Sequence, residues 1–261
     1  MSIFAGRIGS LEGSKKLLHI LILLTAFTLE KSPRIITLDP SATELVYDLK
    51  LNAKLVGRDQ ASNHPKKVAR LPVVSRHLQW NKEKIIELQA DWILAHDIGF
   101  EKLESNFKPW GIRVLILQNQ SPQDYLKNVK KLLEHFESKK SIEQIAKQVS
   151  LEDLPDLNAS YIALIDSTLK IASGKGSFLA QALKKCGLEN LVKQDGYPRL
   201  SQEFLLTNNA DHLFRIEKNA EKESGILLNP DVFSRLSLRF FKGLRKLCEK
   251  LEKEAVSDQD N

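Results

Sequence analysis

The feature that most restricts the fold is a regular alternation along the chain. Short apolar runs of strand length are each followed by a stretch with helical spacing. "RIITL" (34–38) precedes a helical pattern from Ser41, "KLVG" (54–57) leads to a polar loop ending in His64-Pro65, and "LPVV" (71–74) leads to the loop 75–80. The helical "NKEKIIELQ" (81–89), the run "WILA" (92–95), a helical pattern through residues 100–107 and the run "RVLIL" (113–117) follow. Strands that are apolar throughout and separated by helices are the signature of parallel sheets covered on both faces. The residues up to about 120 therefore predict one α/β lobe.

From 121 to about 154 the pattern is helical only. Leu126, Val129, Leu132, Leu133 and Phe136 recur at threes and fours, and Ile142, Ile145 and Val149 continue beyond the polar patch 138–141. Alternation then resumes with "YIALI" (161–165), a helix over 177–185, a loop over 187–198, a helix over 201–206, "HLFRI" (212–216), "GILL" (225–228) and a last helix over 232–253. The expected organisation is a leader at 1–32, an N-terminal α/β lobe at 33–120, a helical linker at 121–156, a C-terminal α/β lobe at 157–256 and a tail at 257–261. A length of 261 residues with 42% hydrophobic side chains suffices for two such cores.

The formal charge of +6 comes from 39 Lys and Arg against 33 Asp and Glu. The two signs are interspersed, as on solvated helix faces, and no basic stripe with interleaved aromatics is present, so no nucleic-acid partner is expected. Arg7, Lys15 and Lys16 precede the apolar run Leu17–Leu29, which is short for a bilayer span and matches the core of an export signal. A buried first helix or an uncleaved anchor are the alternatives. No cysteine follows the run, so a lipid anchor is not expected. In a reducing compartment Cys186 and Cys248 would be two buried thiols; in an oxidising one they could form a bridge.

Candidate chemistry is sparse. Ser41-Ala-Thr-Glu44 has the spacing of a capping box, and it lies just past the C-terminal end of a strand, where α/β sheets place their ligands. Ser201 and Glu203 repeat a looser version of the arrangement. The six histidines, His19, His64, His77, His96, His135 and His212, show no pair at metal-ligand spacing, so no metal site is expected. His64, His77 and His96 do fall in three loops at strand ends of the first lobe, and a haem or metal ligand among them is the alternative. "SGKGS" (173–177) lacks the spacing of a phosphate loop and reads as a turn feeding a helix. No serine-hydrolase elbow, zinc-protease motif or paired-carboxylate signature occurs, which counts against a hydrolase without excluding one.

Three stretches, "PRIITLDPSATELVYDLKLNAKLVG", "LPVVSRHLQWNKEKIIELQADWILA" and "SGKGSFLAQALKKCGLENLVKQDGYPRLSQEFLL", carry in the right order the motifs of a known family. The chain resembles, from about Pro33 to Leu251, the periplasmic vitamin B12-binding proteins of bacterial ABC importers, a class that also takes iron-siderophores and haem. The resemblance implies two Rossmann-like lobes joined by a helical linker, with a ligand in the central cleft and little lobe movement. It implies a periplasmic monomer without a cofactor, whose cargo is cobalamin, a related corrinoid, haem or a ferric chelate. It implies docking onto a permease dimer through one glutamate per lobe, Glu44 by "SATEL" and Glu203 by "YPRLSQE". It further implies a disulfide between Cys186 and Cys248 and ligand contacts from Tyr197 and Asp231, to which His77 would add a polar or metal-directed contact of this chain's own. Ala61, His77 and Val232 stand where the family carries aromatic rings. A cytosolic α/β enzyme acting on a nucleotide or sugar, and a ligand-free interaction or sensor homologue, are the competing readings.

Overall fold

In the computed structural model, residues 32–97, 102–218 and 225–259 are described. The first 31 residues, and with them the leader expected over 1–32, lie outside this range, apart from Ser32. Six strands form the first sheet: β1 (Ile35–Thr37), β2 (Leu55–Asp59), β3 (Val73–Arg76), β4 (Gln79–Trp80), β5 (Trp92–His96) and β6 (Arg113–Leu117). Their order is β4-β3-β2-β1-β5-β6, with every pairing parallel except β3 with β4. Helices α1 (Pro40–Asp48), α2 (Lys82–Glu87) and α3 (Leu103–Phe107) lie between the strands.

Side-chain alternation sorts the strand residues onto two faces. Ile35, Trp92, Leu94, Leu115 and Leu117 belong to one apolar cluster; Ile36, Ile93 and Ala95 belong to another, with Ile85 of α2 and Leu103 and Phe107 of α3. Both faces of the sheet are thus covered, which explains why its strands read as unbroken apolar runs.

The helical stretch expected over 121–156 consists of two helices, α4 (Asp124–Leu133) and α5 (Ile142–Val149). Ser141 accepts from Gln144 N and the Gln144 side chain from Ser141 N, a capping box that restarts the helix after the polar patch. The second sheet contains β7 (Ala159–Asp166), β8 (Ile171–Ala172), β9 (Leu188–Asn190), β10 (His212–Ile216) and β11 (Ile226–Leu228), in the order β11-β10-β7-β8 with β9 also on β7. Helices α6 (Phe178–Leu183) and α7 (Gln202–Thr207) intervene. The last helix expected over 232–253 is two, α8 (Pro230–Phe233) and α9 (Leu238–Gln259). Strand β9 lies inside the stretch 187–198, which the sequence reads as loop.

One apolar cluster runs without a break from Ile35 and Leu94 of the first sheet, through Tyr125 and Val129 of α4 and Ile145 of α5, to Phe240 and Leu244 of α9 and Tyr161 and Phe214 of the second sheet. The two lobes therefore share a core. That continuity resists hinge motion, because separating the lobes exposes packed apolar surface at about 25 cal/mol per Å2. Cys186 and Cys248 are joined by a disulfide with a Cα–Cα distance of 6.1 Å, which pins α9 to the turn after α6. Among the described residues no helix is long and apolar enough to cross a membrane.

Candidate ligand cleft

Parallel α/β sheets leave a crevice at the C-terminal ends of their strands. Here a cavity of about 410 Å3 lies between the two lobes at those ends. From the first lobe it is lined by Asp59, the last residue of β2, by Gln60, Ala61 and Asn63, which follow it, and by His77, which follows β3. Lys218, after β10, with Asp231 and Arg235 from the α8 region, line it from the second lobe.

The floor of this cleft is a charged bridge between the lobes. Arg235 Nη1 donates to Glu44 Oε1 (3.2 Å) and Asn63 Oδ1 (2.7 Å), and its Nη2 to Ala61 O (3.2 Å) and Asp231 Oδ1 (2.6 Å). Arg239 Nε donates to Glu44 Oε2 (2.8 Å), and its Nη2 donates to Glu44 Oε1 and to Asp231 O. Asn63 Nδ2 closes the ring on Asp231 Oδ2 (2.9 Å). Charge-assisted hydrogen bonds of this kind are the strong ones, and every partner here meets a complementary group. Burial works against ionisation of Asp231, but the Asn63 bond and the Arg235 and Lys218 charges outweigh it and hold its carboxyl below the usual range. Burial and the positive charge of Arg239 together lower the pKa of nearby His64.

Glu44 is correspondingly placed otherwise than its expected role requires. It is 2% exposed and engaged by two guanidinium groups, so it cannot reach a permease. Nor does it complete a capping box. The cap of α1 is Asp39, whose carboxylate accepts from Ala42 N (2.8 Å), with Pro40 in the first turn where its missing N–H costs nothing. Asp39 also holds His96, through Nδ1 (2.7 Å) and the backbone N (3.2 Å). His96 is thus a buried brace between β5 and α1 rather than a free loop ligand; burial opposes its protonation, but Asp39 prevails and raises its pKa.

Glu203 is exposed in the first turn of α7, after the cap Ser201, which accepts from Phe204 N (3.0 Å). Its local counterpart in the first lobe is Glu83, exposed in the first turn of α2 after the cap Asn81. Both helix starts read cap, one residue, Glu. That shared spacing was legible as Asn81-Lys-Glu83 beside Ser201-Gln-Glu203, and it points to Glu83 where the SATEL match pointed to Glu44.

His77 and Asp231 do meet at the cleft, but Asp231 has both oxygens engaged within the lobe bridge. Tyr197 does not line it. The ring is 55% exposed on the loop after β9, and that loop is tied down by Gly174 N to Gly196 O, Lys175 N to Gln194 O and Ala172 N to Pro198 O. The turn "SGKGS" is what holds it: a Cβ at Gly174 would lie 2.3 Å from Gln194 O, so only glycine permits the approach. Sequence reasoning missed Asn63, Arg235 and Arg239, whose roles depend on contacts across more than 160 residues. Among the described residues no three His, Cys, Asp or Glu side chains gather into a metal-holding group.

The profile of the family described as "Periplasmic binding protein" matches residues 35–236, which take in both sheets and the bridge as far as Arg235. The chain belongs to that family. It is 27% identical over 254 residues to the vitamin B12-binding protein of Salmonella typhimurium (strain LT2), covering 88% of this chain and 94% of the relative. It is 25% identical over 258 residues to an uncharacterised ABC transporter substrate-binding lipoprotein of Bacillus subtilis (strain 168), covering 86% and 82%. The crystal structure of the periplasmic vitamin B12-binding protein of Vibrio cholerae superposes with a TM-score of 0.70 at 22% identity, over 84% of this chain and 96% of that one. The two-lobed α/β fold of this periplasmic binding protein is the one expected from its sequence.

Proposed function

We propose that this chain is the exported substrate-binding component of an ABC importer. It captures a ligand of the metal-chelate type in the cleft between its lobes and hands it to a permease, making and breaking no bond. The observation that carries this reading is the cavity at the strand ends of both lobes, walled by loops that the Arg235 bridge fixes from the opposite side. Relatives named for vitamin B12 binding and for ABC transport support it. The disulfide supports an oxidising compartment, and with it an export signal in the leader.

Delivery needs a docking surface. Exposed acids at a rim steer and orient association, and Glu203 and Glu83 occupy equivalent helix starts, one on each lobe. We assign them the docking role. Uptake assays in cells or vesicles that carry the cognate permease and ATPase test the reading. Transport should require this chain and fail with Glu83→Lys or Glu203→Lys; transport unaffected by deleting the chain would refute it.

A further inference from the structure

The second sheet ends in β11, which pairs parallel with β10. The connection between them runs only from 217 to 225, short of the roughly a dozen or more residues, usually with a helix, that a parallel crossover takes. Ile162 stands opposite Leu213, Leu164 opposite Arg215 and Arg215 opposite Leu227, so these side chains share one face. The other face, with Tyr161, Phe214 and Leu228, lies in the shared core. On the outer face α7 covers part of the strands, where Phe204 and Leu205 pack with Ile162 and Leu164. Beside it opens a groove of about 610 Å3, lined among others by Ile162, Leu164, Leu205 and Leu213, and Leu227 is 46% exposed. An exposed apolar surface of this kind marks an interaction site.

The same face carries what would fill the groove. Leu206, next to the groove-lining Leu205 on α7, is 71% exposed, an apolar knob beside an apolar hole. The bond from Leu200 N to Lys170 O (2.9 Å) sets Lys170, a groove residue, beside the start of α7, where Glu203 is exposed. Among the described residues neither Lys170 nor Glu203 is ion-paired. A surface with knob and hole, and cation and anion, side by side is self-complementary, which is what a two-fold pair requires, since each element then meets its counterpart on the other copy. Arg215 does not make the groove an anion site, because Glu217 (2.6 Å) and Ser167 Oγ (3.2 Å) already engage it.

We infer that this face pairs with the same face of a second copy, α7 against α7, each Leu206 entering the other's groove beside Leu227 and each Glu203 meeting the other's Lys170. The pair departs from the monomer that the resemblance implies and does not depend on the cargo. While it lasts, it withdraws Glu203 from a permease.

Sedimentation velocity of the purified full chain, with the disulfide intact and the concentration varied through the micromolar range, tests this. A monomer–dimer equilibrium is expected. Leu206→Asp or Leu227→Asp should weaken it tenfold or more with an unchanged melting temperature, because both side chains are exposed. Glu203→Lys and Lys170→Glu should each weaken it and restore it when combined. A chain that stays monomeric throughout overturns the inference, as does growth beyond the dimer or association indifferent to both leucines. Charge variants that fail to rescue one another overturn it too. A monomeric chain in which Leu227→Asp stops uptake overturns it in favour of the permease as occupant and leaves the importer reading intact.

Discussion

Replacing Glu44 is the perturbation that separates a buried bridge from an outward docking group most sharply. Its carboxylate is 2% exposed and takes hydrogen bonds from Arg235 and Arg239, two cations of the other lobe. Removing one partner of such a pair leaves charge buried without compensation, at a cost of about 3–5 kcal/mol. Glu44→Gln keeps the shape and one acceptor, so it belongs at the low end; Glu44→Ala removes both oxygens and belongs at the high end. For a domain of this size each kcal/mol lowers the melting temperature by about 2–4 °C, which puts the expected drop at roughly 6–20 °C. Urea unfolding followed by circular dichroism, with the disulfide intact, measures the loss directly. Glu83→Gln and Glu203→Gln serve as references, because substitutions at exposed positions usually stay within about 0.5 kcal/mol. Should Glu44→Gln fall inside that same band, the interlobe bridge does not exist as described, and Glu44 returns as a docking candidate.

Burial lifts the Asp48 carboxyl to about 6 against the hydrogen bonds from Tyr125 and Leu238, with the Glu44 charge adding to the rise. A folded pKa above the unfolded value of about 3.9 means that the fold prefers the protonated acid, so this contribution is complete below pH ~4 and is lost as pH rises through ~6. The swing is about 3 kcal/mol. Asp48→Asn should flatten the stability difference between pH 4 and 7 relative to the parent; an identical slope in both would dismiss the assignment. Reducing Cys186–Cys248, which are 62 residues apart, should cost about 4 kcal/mol in the chain-entropy account, and a thiol titration of unfolded, unreduced protein should find no free cysteine. Charge reversal at Glu83 or Glu203 should abolish uptake while calorimetric ligand affinity stays within twofold; a parallel loss of affinity would place those acids in the cleft instead.

Strands that bury both faces announce themselves as continuous apolar runs, and for that reason β1, β5, β6, β7 and β10 were legible from the sequence alone. Strands β8 and β9, two and three residues long, were not, because so short an element has no periodicity. The break between α8 and α9 was hidden for a related reason: Val232, Phe233, Leu236 and Leu238 keep helical spacing, while the arginine ion pairs and the Asp48 bond to Leu238 N fix the interruption. At the cleft, His77 was found through the gap it leaves in a pattern of aromatics. Two readings of Glu44 failed for different reasons: "SATE" satisfies a capping rule that Asp39 fulfils first, and the docking role rested on matching "SATEL" to a family motif, which carries no information on burial. What Glu44 actually meets, Arg235 and Arg239, lies more than 190 residues away, a separation over which local spacing says nothing.

Native mass spectrometry of the chain purified from its own host tests the central claim, ligand capture between the lobes, most directly. The account predicts a single one-to-one adduct whose occupancy drops at least tenfold in His77→Ala and is unchanged in Glu203→Lys. A bare chain that also gives no calorimetric heat with any metal-chelate probe, or an adduct retained in full by the His77 variant, would contradict it.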